Sequence, residues 1–173
     1  MANQLNEKNL SNALKLNLKL FQDNFWHSLK RYPAMISGWG TGKTLFAILR
    51  GMDLSQEIPE NLGLFVRKEY TDLRDSTIKD FEKYTGLRLD ANKEVRFPNG
   101  SMIMFRHGAE LDVLKNINLG WFCIEQAEEF ESEEQFEFLR GRLRRANVKF
   151  HTGFIIANAN GQNWIWLEFK KII

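Results

Sequence analysis

The sequence predicts a three-layer α/β domain: a mostly parallel central sheet with helices on both faces and one antiparallel hairpin inserted. Three observations carry this. Short, almost wholly apolar runs such as Ala34-Met35-Ile36, Gly63-Leu64-Phe65-Val66-Arg67 and Leu119-Gly120-Trp121-Phe122-Cys123-Ile124 read as strands buried on both faces. Segments of helical period separate them, the pattern of strand–helix–strand crossovers. Between the first run and the helix-like Leu45-Phe46-Ala47-Ile48-Leu49 lies Ser37-Gly38-Trp39-Gly40-Thr41-Gly42-Lys43-Thr44. That stretch has the composition of a phosphate-binding loop, in the strand–loop–helix setting such a motif needs.

The elements follow in order. Residues 1–10 are polar and expected to fray. Leu14, Leu16, Leu18 and Leu20 alternate like a strand, while Leu14, Leu18, Phe21, Phe25 and Leu29 form a helix face. The helix is expected, from about Leu18 to Arg31, with Pro33 marking its end. After the strand at Gly63–Arg67, Thr71 caps a helix from Asp72 to about Tyr84. Pro98-Asn99-Gly100 between Val95-Arg96-Phe97 and Ser101–Phe105 is a hairpin signal, and this is the antiparallel insertion. The run Leu119–Ile124 is a central strand. Ser132 with Gln135 forms a capping box for a helix reaching about Arg145. Phe150 to Ala157 supplies another strand and Trp164 to Lys170 a last helix.

A chain of 173 residues suits one domain over 1–173 and can bury a core without staples. Lys+Arg is 24 and Asp+Glu is 22, so a net charge of +2 gives no argument for nucleic-acid binding. Cys123 is the one cysteine, so no intramolecular disulfide can form. It sits in an apolar run and reads as a buried thiol. With His27, His107 and His151 scattered, no zinc site is suggested. Met1 to Lys8 has no apolar signal core and no run approaches bilayer length, so a soluble, cytoplasmic protein without membrane partners is expected.

The loop carries the chemistry. Its three glycines let successive backbone N–H groups turn inward around an anion, and the helix N-terminus beyond adds positive potential. Lys43 would reach the terminal phosphates of a nucleoside triphosphate, and the Thr44 hydroxyl would ligate Mg²⁺. Ser37 stands where the pattern usually begins with Gly. Such a loop needs an acid at the end of a neighbouring strand, and Glu125, directly after Ile124, fills that place. This pairing reads as a P-loop NTPase, with the ASCE type as the expected fold class. Gln126 stands next, where hydrolysing proteins usually carry a Glu. Its amide can orient a water but cannot take its proton. Glu128 and Glu129 lie on the same loop and either could substitute, or both could be a solvated acidic run near a helix start.

The set Ser37–Thr44, Ile124-Glu125-Gln126-Ala127-Glu128-Glu129-Phe130 and Ala157-Asn158-Ala159-Asn160-Gly161-Gln162-Asn163-Trp164 resembles the N-terminal ATPase half of the large terminase subunit of tailed phages. Val66-Arg67-Lys68, Leu73-Arg74-Asp75-Ser76 and Phe97-Pro98-Asn99-Gly100-Ser101 support it, and the similarity covers about residues 15–170. The resemblance implies an ATPase that uses ATP and Mg²⁺ to move double-stranded DNA into a viral procapsid. It also implies a homo-oligomeric ring, a portal protein and a small terminase subunit as partners, and the cytoplasm of an infected bacterium as the place. Gln22 matches the glutamine that reads adenine. Ser37 to Thr44 match the nucleotide-binding loop, Lys43 and Thr44 the triphosphate and metal contacts, and Glu125 the strand-end acid. Asn158 falls in the coupling motif, where Ala159 replaces the usual Pro. Trp39 occupies a position where the family often has Arg, so it could cover the nucleotide or pack under the loop.

The resemblance also asks for an arginine acting in trans. Arg142 or Arg144, at the expected end of a helix, is the preferred pair, although cations at a helix C-terminus are favourable without any such role. Lys115, Arg67 and Arg74 are alternatives. The chain has no room for the family's second, nuclease half, so DNA cutting is not expected. Two other readings stay open. One is a nucleotide-binding switch with little hydrolysis, motivated by Gln126. The other is a small-molecule kinase, for which no acceptor-pocket signature or Arg-rich lid is evident.

Overall fold

A computed structural model describes residues 18–169. The expectations for residues 1–10 and for the leucines at 14 and 16 lie outside the described residues. Six strands, β1 (Ala34–Ile36), β2 (Leu62–Arg67), β3 (Glu94–Arg96), β4 (Met102–His107), β5 (Trp121–Glu125) and β6 (Thr152–Ala157), form one sheet in the order β1-β6-β5-β2-β4-β3. All pairings are parallel except β3 with β4. β6 therefore stands between the strand that enters the phosphate loop and the strand that ends in Glu125, the ASCE-type arrangement. The hairpin is as expected, with Val95 opposite Ile103. Its second strand joins β2 in parallel, so only β3 is an antiparallel edge.

Strand side chains alternate faces, and that alternation builds two cores. Leu64, Val66, Phe122, Ile124 and Ile155 belong to one, beneath Phe136, Leu139 and Trp164. Phe65, Ile103, Trp121, Cys123 and Phe154 belong to the other, beneath Phe25, Phe46 and Phe81. The helices concerned are α1 (Leu20–Trp26), α2 (Lys43–Glu57), α3 (Tyr70–Asp72), α4 (Lys79–Thr85), α5 (Glu134–Arg140) and α6 (Trp164–Phe169). Three layers with helices on both faces result.

Three helix expectations need correction. α1 stops at Trp26 and does not reach Arg31. The cause is Arg50, a buried side chain from α2, whose guanidinium donates to the carbonyls of Phe25 (3.1 Å), Trp26 (2.7 Å) and Ser28 (2.8 Å). The first two are the acceptors that the amides of Leu29 and Lys30 would have used in a longer helix. The helical stretch after β2 begins at Tyr70, with Thr71 inside it and no side-chain cap. Between α3 and α4 the segment Leu73–Ile78 is π-helical, and α4 ends where Gly86 turns left-handed at φ 71°. α5 begins without the Ser132–Gln135 capping box and ends at Arg140, not near Arg145. Beyond Gly141 the chain bridges to the entry of β5: Leu119 N–H donates to Arg142 O at 2.7 Å and Arg144 N–H to Leu119 O at 3.1 Å. Arg142 and Arg144 thus lie on no helix. β6 is shorter than expected and starts at Thr152, and α6 is described to Phe169.

Arg50 is a stability determinant with a measurable signature. Burial draws its guanidinium down to about 10, still charged at neutral pH. Arg50→Met keeps the aliphatic bulk but leaves buried carbonyls without donors, a loss of about 2–3 kcal/mol. A thermal melt should register this as a drop of about 5–10 °C for a domain of this size.

Candidate functional site

The loop between β1 and α2 turns on glycines with positive φ, Gly40 at 69° and Gly42 at 81°. Only glycine takes those values without strain. Gly40 to Gly42 line the mouth of a cleft of about 670 Å³, and the first residues of the 15-residue α2, Lys43 to Leu45, line the same space. Ser37 fits the place where Gly is usual. Its hydroxyl meets that of Thr41 at 2.7 Å, and Thr41 Oγ1 donates on to Gly38 O at 3.0 Å. Lys43 Nζ folds over the loop and donates to the carbonyls of Ser37 (3.1 Å) and Gly38 (2.7 Å). Burial lowers its ammonium from the ordinary lysine value, and the charge of Glu128 works against that.

Glu125 is the last residue of β5 and only 3% exposed. Its carboxylate is the convergence point of the site. Thr44 Oγ1 donates to Oε1 at 2.6 Å, across 81 residues of chain, and Thr77 Oγ1 donates to Oε2. Hydroxyl and carboxylate are hard oxygen donors, facing each other on the cleft wall. They suit an ion such as Mg²⁺, which takes one or two protein oxygens and keeps most of its waters. Among the described residues no group of three or more His, Cys, Asp or Glu could hold a metal by itself.

The next turn is strained and partly unsatisfied. Gln126 sits in the left-handed region at φ 47° and ψ 53°, which side chains rarely adopt. It lines the cleft, and its Oε1 is buried without a hydrogen-bond partner. Glu128 accepts from Asn158 Nδ2 through Oε1 at 2.6 Å, while Glu128 Oε2 and Asn158 Oδ1 are likewise buried and unpartnered. None of these three acceptors has a protein donor among the described residues. Glu129 instead pairs with Arg67 on the cleft wall at 3.2 Å. Burial raises the Glu129 carboxyl above its ordinary value, and the Arg67 charge pulls it back.

The other sequence candidates fall as follows. Trp39 is 81% exposed on the rim of the cleft, so it does not pack under the loop. Gln22 sits behind the loop: Nε2 donates to Thr41 O and Oε1 accepts from Lys19 N–H, both at 2.9 Å. Arg142 and Arg144 stand at the opposite end of β5 from Glu125. Arg142 lies over the Phe138 ring at 4.6 Å, and Arg144 donates to Asn118 Oδ1 at 2.6 Å. Neither lines this chain's own cleft, whereas Arg67 does. Arg74 is exposed and paired with Asp75 at 2.6 Å. One wall of the cleft was not anticipated from the sequence. Asp72, Ser76, Asp80 and Tyr84, four residues apart, present a stripe to the cleft, and Thr77 reaches Glu125 from the same segment. The four-residue polar spacing was the available signal.

A family model described as phage terminase large subunit matches residues 30–171. The PBSX phage terminase large subunit of Bacillus subtilis (strain 168) is 30% identical over 163 residues, which is 87% of this chain and 36% of that protein. The chain therefore spans about a third of the length of that curated relative. Among solved structures, the large terminase ATPase domain of Thermus phage P74-26 superposes with a TM-score of 0.67 at 16% identity, covering 88% of this chain and 69% of that one. The large terminase of a thermophilic bacteriophage in complex with ADP gives 0.62 at 16% identity, covering 88% and 42%. At such identities the likeness is one of fold.

Proposed function

The chain belongs to the phage terminase large-subunit family, and from that premise we propose that it is the ATP-hydrolysing module of a motor driving double-stranded DNA into a viral procapsid. The observation that carries the proposal is the meeting of Thr44 with Glu125 at the mouth of the glycine loop. It joins the two halves of a nucleotide site that lie far apart in sequence. A relative of the same fold has been solved with ADP, which supports a nucleotide in the cleft.

In this reading the backbone amides at Gly40 to Lys43 hold the phosphates of ATP. Lys43 leaves the Ser37 and Gly38 carbonyls for the terminal phosphate. Thr44 and Glu125 would hold Mg²⁺, which when bound offsets charge on the β- and γ-phosphate oxygens. Glu128, charged and aimed by Asn158, positions the attacking water, because the Gln126 amide can orient a water but cannot accept its proton. Gln22 buttresses the loop and offers its amide to adenine if the contact with Thr41 opens.

Asn158 is the coupling handle. Asn158 lines the cleft, its amide grips Glu128, and its backbone leads into the loop after β6. Asn158→Ala is expected to lower ATP turnover by about tenfold or more, because Glu128 loses the hydrogen bond that aims it, and to abolish any stimulation by double-stranded DNA. Phosphate release measured with and without DNA reads this directly.

An arginine from a neighbouring subunit completes the site, with Arg142 or Arg144 as the donor, since both lie on a surface remote from this chain's own cleft. The ring, the portal protein and the small terminase subunit then follow as partners, in the cytoplasm of the infected bacterium. No helix among the described residues is long and apolar enough to cross a membrane. Specific ATPase activity should climb with protein concentration as the ring assembles. A value that stays flat from nanomolar to high micromolar would remove the arginine in trans. Gln126 also favours a second reading, a nucleotide-binding switch with little hydrolysis.

A further inference from the structure

We propose that Thr77 is a positioning residue for Glu125, and through it sets how tightly the nucleotide site takes its divalent cation. This rests on the ATPase reading above and adds to it a residue from outside the phosphate loop and the acid-bearing strand.

Thr77 is a polar side chain where packing calls for an apolar one. It lies between Leu73 and Phe81 on the stripe of its helical stretch that faces the sheet, and it is 1% exposed while those two are fully buried. A valine of the same shape would fill the position without a hydroxyl to satisfy. The hydroxyl has one described partner, Glu125 Oε2. Glu125 in turn is a buried carboxylate with one hydroxyl on each oxygen, Thr44 on Oε1 and Thr77 on Oε2. The two donors differ in what they can do. Thr44 opens the phosphate helix and is itself a candidate cation ligand, so its bond to Glu125 must loosen when a cation is taken up. Thr77 has no other described hydrogen-bond partner, and in this proposal it keeps hold of the second oxygen throughout. A carboxylate anchored at one oxygen presents the other in a fixed direction, and that lowers the ordering needed at binding.

The backbone carries the same message. Thr77 lies inside the π-helical segment Leu73–Ile78, and such segments are rare and concentrated at functional sites. The same stretch sends Asp72, Ser76 and Asp80 to the open cleft while Thr77 is turned to the strand end beneath. A regular helix with Val at this position would be the simpler solution if packing alone were selected.

The test compares Thr77→Val and Thr77→Ser with the wild-type chain. A fluorescent ADP analogue is titrated with each in EDTA and again in magnesium, and ATP turnover is followed against magnesium concentration. Thr77→Val should melt at or above the wild-type temperature and bind the analogue normally in EDTA. Its magnesium-dependent gain in binding should need about tenfold more magnesium or higher, and the magnesium concentration for half-maximal turnover should rise by a similar factor, the scale of one hydrogen bond to a charged group. Thr77→Ser, which keeps the hydroxyl, should restore both to within about threefold. A Thr77→Val protein with wild-type magnesium response overturns the proposal, and so does one that melts lower and loses the analogue even in EDTA, which would mark a packing residue. A wild-type chain that binds no analogue under either condition defeats the underlying ATPase reading and this proposal with it.

Discussion

Lys43→Ala is expected to lower ATP turnover by about 10³-fold or more while leaving the fold intact. The size follows from what lines the cleft. Among the described residues that face it, the cations are Lys43 and Arg67, and Arg67 is held by Glu129 on the wall. Lys43 alone is free to follow charge as it develops on the departing phosphoryl group. Losing one preorganised donor at a developing charge costs about 10²–10³ in rate, and here the donor carries a full charge in a partly desolvated place. Stability should hardly change. Lys43 is the first residue of α2, and its side chain bonds only to carbonyls of its own loop. Surface substitutions of that kind stay within about 0.5 kcal/mol, or about 2 °C in a melt. Phosphate release and a thermal melt on the same sample check both halves. Turnover above a tenth of wild type would place the hydrolysis elsewhere.

That prediction was reachable from the sequence alone, and the reason is physical. A phosphate loop is a local object: its glycines, its lysine and the helix it opens are consecutive residues. The continuous apolar runs around Leu64, Phe122 and Phe154 announced a sheet buried on both faces, and Asn99-Gly100 announced the hairpin. The place of Glu125 at a strand end was legible because the apolar run stops there and a carboxylate follows at once. What the sequence hid was settled by partners far along the chain. Arg50 ends α1 by binding carbonyls 22–25 residues before it. Leu119 draws Arg142 to Arg144 off the helix expected there. Thr77 meets Glu125 across 48 residues. The capping boxes and helix lengths were read from local propensity, which tertiary contacts override. The left-handed turn at Gln126 had no local sign, since glutamine has no preference for it.

Glu128→Gln is expected to lower turnover by about 10²–10³-fold with analogue binding unchanged, which assigns the water-positioning role to Glu128 over Gln126. Two carboxylates and one amide compete for that role; Gln126 and Glu129 line the cleft, and the case for Glu128 rests on its bond to Asn158, which lines it too. Glu129 is tied to Arg67 and its carboxyl is raised by burial, so its charge is balanced on the wall. Gln126 turns its amide to the cleft but has no proton-accepting group. Glu128 has one oxygen fixed by Asn158, the other buried and unpartnered, and a charge that Lys43 feels. A carboxylate oriented by a neighbouring amide, with a charge that reaches Lys43, is the kind of acceptor an attacking water needs. The companion change is Gln126→Glu, which restores a carboxylate at the position following the strand-end acid. If Glu128 already serves, Gln126→Glu should leave wild-type turnover within about threefold and recover part of the loss in the Glu128→Gln background. The opposite pair of results, a silent Glu128→Gln and a large gain from Gln126→Glu, would mean that the natural protein holds ATP and hydrolyses little of it, and the switch reading would then replace the motor.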